Sequence, residues 1–339
     1  MKMILIGSDH VWSLEKIYFK YLKELGIDVE LFPAQNYFYE YYNHSIIHKV
    51  VYRVGFSSIL REINKQLTKK ITAFKPDVAW VFKGMELIPE TLEFMRRSGI
   101  SLVNYNPDNP FIFSGVGSGN DNISRSISLY DLHFTYNLEI RSQLVARGYP
   151  TEILPFGFDL DENIYARCNS QNEVIKTCFL GNPDRHRAEF LKGLAEGGIE
   201  IDIFGKEWNK YIEHPLVHTL EPVFGEEFWR ALRRYRIQLN VMRPHNAQSH
   251  NMRSFEIPAV GGIMLAPDNI EHRSFFQDGS EIFLYSDLQE CLKQIEYLLN
   301  LPENEAKEVR ISARNRSLHS GYSYKERTQD ALEYLMALC

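Results

Sequence analysis

The feature that leaves this chain the fewest choices is a rhythm. Short apolar runs end in a glycine or a polar turn, and each is followed by a longer stretch with helical spacing. "MILIG" ends in Gly7, Ser8 and Asp9. Leu14, Ile17, Tyr18, Tyr21, Leu22 and Leu25 then recur on one helix face until Gly26 stops them, and "DVELF" resumes as a strand. Further strands are expected at "DVAWVF" (77–82), "SLVNY" (101–105) and "DLHFTY" (131–136), with helices between them, one of them long, from about Ile46 to Phe74. Strands that alternate with helices pair in parallel, because each crossover helix covers a face of the sheet.

The rhythm breaks over "TEILPFGFDLDENIYARCNSQNEV" (151–174), whose Pro, Gly and polar residues read as a linker. It restarts with "IKTCFLGNPDRHR", "IEIDIFGKEW", "IQLNVMRP", "GIMLAP" and "EIFLY", each followed by helical sequence, and closes on the helical pattern "YSYKERTQDALEYLMALC". The expected fold class is α/β: two Rossmann-like domains, 1–157 and 158–321, whose open parallel sheets meet a central cleft. The helix over 322–339 is expected to return to the first domain. In such sheets ligands sit outside the carboxyl ends of the strands.

Composition supports this plan and trims the functional classes. A chain of 339 residues is too long for one ordinary core. The net charge of −6 argues against a general nucleic-acid binder. Cys168, Cys178, Cys291 and Cys339 form no CxxC pair and no zinc spacing, which suits reduced thiols in a cytoplasm. The apolar run in "MKMILIGSDH" is too short for a signal peptide and no window is long enough to span a bilayer, so a cytoplasmic protein, peripheral on a membrane at most, is expected. Lys49, Arg53, Arg61, Lys65, Lys69, Lys70 and Lys75, opposed by Glu62 and preceded by "YFYEYY" (37–42), form a basic, aromatic stretch. It could dock on an anionic membrane or be an ordinary solvated helix face.

The strand ends of the second half carry the chemistry. Gly181, Asn182, Asp184, Arg185, His186 and Arg187 follow "TCFL", and Lys206 follows "IDIFG". Arg243, His245 and Asn246 follow "LNVM", and Ser249 leads into "HNMRSFEIPAVGGIMLAP" with Arg253 and Glu256. Guanidiniums beside helix-start amides suit phosphate, and a carboxylate in the same helix suits a vicinal diol. Phosphate and diol together describe a nucleotide. The ordinary reading of Arg253 and Glu256 is an i,i+3 ion pair of small energetic value.

The ordered set "KPDVAWVFKG", "NYNPDNP", "FLGNPDRHR", "IDIFGKEW", "YRIQLNVMR" and "HNMRSFEIPAVGGIML" resembles GT-B glycosyltransferases over nearly the whole length, closest to the CgeB-like and glycosyl transferase group 1 branch. The resemblance implies a nucleotide-diphosphate sugar as donor, a uridine nucleotide by the family's habit, and a glycan, lipid-linked or protein acceptor. It implies no resident cofactor and no metal, with retention at the anomeric carbon. Glu256 then matches the residue that holds the donor ribose. Ser249, His250, Asn251, Met252 and Arg253 match the turn whose amides meet the diphosphate. Arg185 or Arg187, with Lys206 and Arg243, match basic positions beside it, and Val223 and Phe224 match the loop that packs on the base. Where retaining members carry a first glutamate, this chain has Gln248, whose amide can still hydrogen-bond to a sugar. Pro258 falls inside the expected helix and should kink or shorten it. His10 and Asp108, each after a strand of the first half, are candidates for contacts to sugar or acceptor. "GVGSGN" (115–120) fits a loop near the cleft better than a dinucleotide turn. A sugar-nucleotide epimerase, which would need more acid/base carboxylates, and a non-catalytic nucleotide-sugar-binding subunit are the alternatives.

Overall fold

A computed structural model describes residues 1–113, 118–169, 172–244 and 247–338. His245, Asn246, Cys339 and part of "GVGSGN" lie outside the described residues. The chain divides into two units: Met1–Pro155 with Tyr324–Cys339, and Phe156–Ser323.

The first unit grows from β1 (Lys2–Ile6), whose Met3, Ile4, Leu5 and Ile6 are all fully buried. Burial on both faces is what a central parallel strand requires, and it explains a run with no polar alternation. Helix α1 (Leu14–Glu24) starts where the Ser13 hydroxyl accepts from the Lys16 amide, and it buries Leu14, Tyr18 and Leu22. β2 (Asp28–Phe32) follows Gly26, then α2 (Ala34–His44), α3 (Ile46–Arg53) and α4 (Ile59–Phe74). The single helix expected from residue 46 to 74 is thus two helices. Gly55 adopts a φ of 79°, a left-handed conformation that ends the first, although the apolar spacing continues through both. β3 (Val78–Phe82), α5 (Pro89–Arg97), β4 (Ser101–Tyr105), α6 (Asp121–Ser126), β5 (Leu132–Thr135), α7 (Leu138–Ala146) and β6 (Thr151–Ile153) complete the sheet.

The first unit's six strands are parallel, in the order β2-β1-β3-β4-β5-β6, so the strand order reverses between β1 and β3. β6 corrects the sequence reading, which assigned its residues to a linker. Three residues at a sheet edge are too few to show a strand period. The C-terminal helix, here called α15 (Tyr324–Met336), packs on α1, with the Tyr18 and Tyr324 rings 5.7 Å apart and the Ser101 hydroxyl donating to the Leu338 carbonyl.

The second unit runs α8 (Glu162–Asn169), β7 (Val174–Leu180), α9 (Arg185–Glu196), β8 (Ile201–Phe204), β9 (Val217–Leu220), α10 (Gly225–Arg234) and β10 (Tyr235–Leu239). It continues with α11 (Arg253–Ala259), β11 (Met264–Pro267), α12 (Ile270–Phe275), β12 (Phe283–Tyr285), α13 (Leu288–Leu299) and α14 (Glu303–His319). Helix α8 again falls in the expected linker. Strand β9 is unannounced in the sequence because it lies at the sheet edge and buries none of its residues, leaving no apolar run to read. The order β12-β11-β10-β7-β8-β9 is wholly parallel and reverses between β7 and β10. Trp208, Leu191, Ile203, Ile237 and Leu265 lie in one core cluster of this unit.

Candidate functional site

The carboxyl ends of β7 and β10, where the second sheet reverses, gather three arginines. Asp184 caps α9 by accepting from the Arg187 amide at 3.0 Å. The Arg187 side chain then folds back over the Phe179 ring. Its Nε donates to the Val241 carbonyl at 3.0 Å and one terminal nitrogen donates to the Asn182 carbonyl at 3.2 Å. One guanidinium therefore ties together the chain just beyond the two strands that flank the reversal. Burial pushes the Arg187 pKa down to about 10, and Arg243 and Arg253 push it the same way, against Asp184. Asp184 lies 3.4 Å from Arg243 Nε and 3.6 Å from Arg187 Nε.

The third guanidinium, Arg253, opens α11, stacks 4.4 Å over the Phe228 ring and donates to Glu256. Glu256 is buried, and desolvation raises its carboxyl pKa while Arg253 opposes the rise. Three guanidiniums against the two carboxylates of Asp184 and Glu256 leave one positive charge in excess at a half-buried place. Such a group attracts an anion with several oxygens. The ion pair expected as the ordinary reading of Arg253 and Glu256 does form, inside this group rather than on a solvated face.

Helix α11 is held by polar side chains beneath it. Asn240 donates to the Ser254 hydroxyl at 3.1 Å, and that hydroxyl lies 2.9 Å from His272 Nε2. His272 is fully buried. Desolvation holds its pKa down at about 4, so the ring is neutral and its Nδ1 donates to the Pro267 carbonyl. Asn251 donates to Asn240 and exchanges hydrogen bonds with Ser254, its amide with the Ser254 hydroxyl and its side chain with the Ser254 amide. At the other end Pro258 lies in a helix of seven residues. The two glycines that follow have different tasks. Gly261 takes a φ of 71°, whereas a side chain on Gly262 would meet the Leu232 carbonyl and Ile257 at 2.8 Å.

The expectation for Ser249 and His250 concerns their backbone amides; their side chains are buried and engage the fold. The Ser249 hydroxyl and His250 Nδ1 both engage the Glu271 carboxylate, while the Phe156 amide donates to His250 Nε2 at 3.2 Å. A ring that accepts at Nε2 donates at Nδ1, so His250 is a neutral structural link. Of the amides in this turn, that of Asn251 is taken by the Ser254 hydroxyl. Among the described residues, those of Met252 and Arg253 donate to no group of the chain.

Arg185 points away from the group, 90% exposed and paired with Glu189 one turn along α9. Lys206 is exposed beyond β8, and Gln248 is exposed on the turn before Ser249. Gly181 donates to the Phe204 carbonyl, while its own carbonyl accepts from the Trp208 indole at 2.8 Å. Val223 is half-buried, and Phe224 is 54% exposed at the start of α10. Asp184 and Asn240, both central here, were weighed little or not at all in the sequence. Each follows or ends a strand at the reversal, the signal that singled out Arg187.

The first unit has a group of its own at the carboxyl ends of β3 and β4. Lys83 binds Asp108 at 2.6 Å, and its charge also acts on Glu15 and Glu86. Glu15 accepts from the Ser8 amide at 3.0 Å and is buried, which raises its pKa. Burial raises the Glu86 carboxyl to about 7, and its Oε2 is buried without a hydrogen-bond partner among the described residues. His10 is exposed, its amide on the Ser8 hydroxyl and its ring 6.5 Å from that of Trp12. The sequence reading named Asp108 but not Glu15, Lys83 or Glu86. Lys83 was legible as the residue directly after an apolar strand; Glu86 carries no such signal.

Two other features of the second unit are placed elsewhere. Glu200, Asp202 and His218 could hold a metal ion, but Lys176 already lies 2.7 Å from Glu200 and 3.8 Å from Asp202. A polar cavity of about 460 Å³ lined by Tyr165, Glu173, Arg233 and Arg310 lies by the starts of β7 and β10, opposite the arginine group.

Comparison with known proteins now bears on this geometry. Residues 185–333 match the family described as glycosyl transferase-like. No curated protein sequence matches the chain. Among solved structures, sucrose-phosphate synthase from Thermosynechococcus elongatus is similar at a TM-score of 0.72 and 10% identity, covering 100% of this chain and 99% of that one. A UDP-forming trehalose-phosphate synthase from Burkholderia xenovorans is similar at a TM-score of 0.62 and 13% identity, covering 98% of each chain. A protein described as a UDP-N-acetylglucosamine 2-epimerase from Listeria monocytogenes follows at 0.53 and 14%, covering 98% and 94%. At these identities the likeness shows the fold, two Rossmann-like units of the GT-B type. The matched region contains Arg187, Arg243, Arg253 and Glu256. Family match and fold together support a glycosyltransferase.

Proposed function

We propose that this protein transfers a sugar from a nucleoside-diphosphate sugar to a hydroxyl acceptor. The observation that carries the reading is the trio Arg187, Arg243 and Arg253 at the β7/β10 reversal, with the Glu256 carboxylate beside it. In the transfer the bond from the anomeric carbon to the diphosphate breaks, and a bond from that carbon to the acceptor oxygen forms. The acceptor hydroxyl passes its proton to an oxygen of the departing diphosphate, and the negative charge on that group falls to the guanidiniums. Arg187, held beforehand by the Val241 and Asn182 carbonyls, needs little reorganisation as that charge develops. Glu256, released from Arg253 when the diphosphate draws that side chain over, accepts from the ribose hydroxyls. Fixed cations can do the work a divalent ion does in other transferases, so the reaction belongs to the metal-independent kind and uses no resident cofactor.

A uridine nucleotide is the proposed donor base, consistent with the UDP-forming synthase among the similar structures. Retention, the CgeB-like branch, a glycan, lipid-linked or protein acceptor, and a cytoplasmic location belong to the same proposal, supported by the sequence resemblance. Titration calorimetry with UDP, GDP, dTDP and CDP, with and without a chelator, tests it. One nucleotide family should bind regardless of chelator, and Arg187→Ala should weaken that binding far more than it weakens binding of the nucleoside. Absence of binding by all four would sink the reading.

A second reading has one observation in its favour. Glu15, Glu86 and Asp108 around Lys83 supply the acid/base carboxylates that a sugar-nucleotide epimerase needs. Incubating the protein with UDP-N-acetylglucosamine in deuterated water separates the two. Deuterium in recovered sugar nucleotide marks an epimerase; none, with UDP released only when acceptor is added, marks the transferase.

A further inference from the structure

We propose that α3 and the turn after it dock this protein on an anionic lipid bilayer. Helix α3 buries none of its side chains completely. Its inner side is aromatic: the Tyr52 ring lies 4.9 Å from Phe38 and 5.8 Å from Tyr42, and the His48 ring lies 4.6 Å from Tyr41. The opposite side is apolar and open. Ile46 is 81% exposed, Ile47 72%, Val50 51% and Val54 57%, and Phe56, just past the Gly55 turn, is 85% exposed. At helical spacing the first four share one stripe, and the exposed Phe56 follows just past it. Exposed apolar residues scattered singly are ordinary; a contiguous set on one short helix is not.

The border of this stripe selects the partner. Lys49 and Arg53 flank it on α3, with the Lys49 ammonium 5.4 Å over the Tyr42 ring, and Arg61, Lys65 and Lys69 follow at i, i+4 and i+8 on α4. Glu62 is the one acid in the two helices, while the chain as a whole carries −6. Local basicity set against global acidity makes the attraction a property of this patch. Two copies meeting through it would bring the cationic borders together, and that repulsion disfavours self-association. An apolar wedge with a cationic rim matches the boundary between acyl chains and acidic headgroups. No described helix is long and apolar enough to cross a membrane, so the contact is superficial.

Co-sedimentation of the full chain with vesicles tests this, using phosphatidylcholine alone or mixed equally with phosphatidylglycerol. The protein should pellet with the mixed vesicles, stay in solution with the neutral ones, and release at a salt concentration of about 1 M, where screening is nearly complete. Ile47→Asp with Phe56→Asp should lower partitioning at least ~10-fold, and Lys49→Glu with Arg53→Glu should do so on mixed vesicles. Because Ile47, Arg53 and Phe56 are exposed and Lys49 is only half-buried, Tm and UDP binding should hold; Ile47→Ser with Phe56→Ser serves if the aspartates lower Tm. Failure to pellet with either vesicle, or partitioning unchanged in the variants, overturns the proposal. So does a dimer of the parent chain that Phe56→Asp dissociates, since the occupant is then a second copy. Nucleotide binding is read separately, so failure of the transferase reading leaves this result distinct.

Discussion

Two groups of charged side chains, one per unit, lie at the carboxyl ends of parallel strands and have opposite character. At the ends of β3 and β4, three carboxylates share the charge of Lys83; beyond β7 and β10, three guanidiniums share the carboxylates Asp184 and Glu256. The backbone plan is common, six parallel strands with one reversal. The chemistry is set by what each loop carries past its strand. Parallel sheets bury their strands on both faces, which leaves the carboxyl-end loops as the positions free to vary in charge. One plan can therefore make an acidic site and a basic site within a single chain.

Four substitutions would break or sharpen that contrast. Glu86→Gln should give the largest change in stability. Its folded pKa of about 7 lies above the 4.5 of a free glutamate, so the folded state holds the proton more tightly. The stabilisation is complete at low pH and is lost as pH rises from about 4.5 through about 7, by about 3 kcal/mol at most. The glutamine variant should remove this slope in chemical denaturation and be the more stable form on the alkaline side. An unchanged slope would show that Glu86 is solvated.

Arg187→Ala should come next, weakening UDP binding by roughly 2–3 kcal/mol while changing uridine binding little. An equal loss for both ligands, measured by calorimetry, would make the arginine trio structural. Glu256→Gln should cost about 1–2 kcal/mol with any ribose-bearing ligand, because an amide accepts less strongly than a carboxylate. The same affinity as the parent would remove Glu256 from the site. Arg185→Ala should leave UDP affinity within error, since its side chain is exposed and paired with Glu189. A loss comparable to that of Arg187→Ala would show that α9 presents a different face when ligand is bound.

The arginines mark how far the sequence could be read. Arg185 and Arg187 are indistinguishable in "NPDRHR", and both were candidates. The structure separates them because Asp184 caps the helix, and rotation along α9 then turns one toward the β10 end and the other to solvent. Ser249 and His250 show the opposite limit. The sequence placed them in one turn, but it could not show that their side chains are both held by Glu271, more than twenty residues on. The motif had no means of naming that partner. Asp108 was legible as a strand-end acid, whereas its lysine lies 25 residues upstream, just past the neighbouring strand β3.

By itself, then, the sequence determined the alternation of strand and helix, the restart of that alternation in the second half, and the chemical types after each strand. These rest on local periodicity and on turn residues, which act over a few positions. Only the tertiary structure decided the rest: the split at Gly55, the edge strands β6 and β9, which arginine turns inward, and that Glu15, Lys83, Glu86 and Asp108 form one group. Those outcomes depend on strand order, which brings distant residues side by side, and on burial, which sets the protonation of Glu86 and His272. A side chain's neighbours across a sheet are chosen by topology, and no local pattern encodes them.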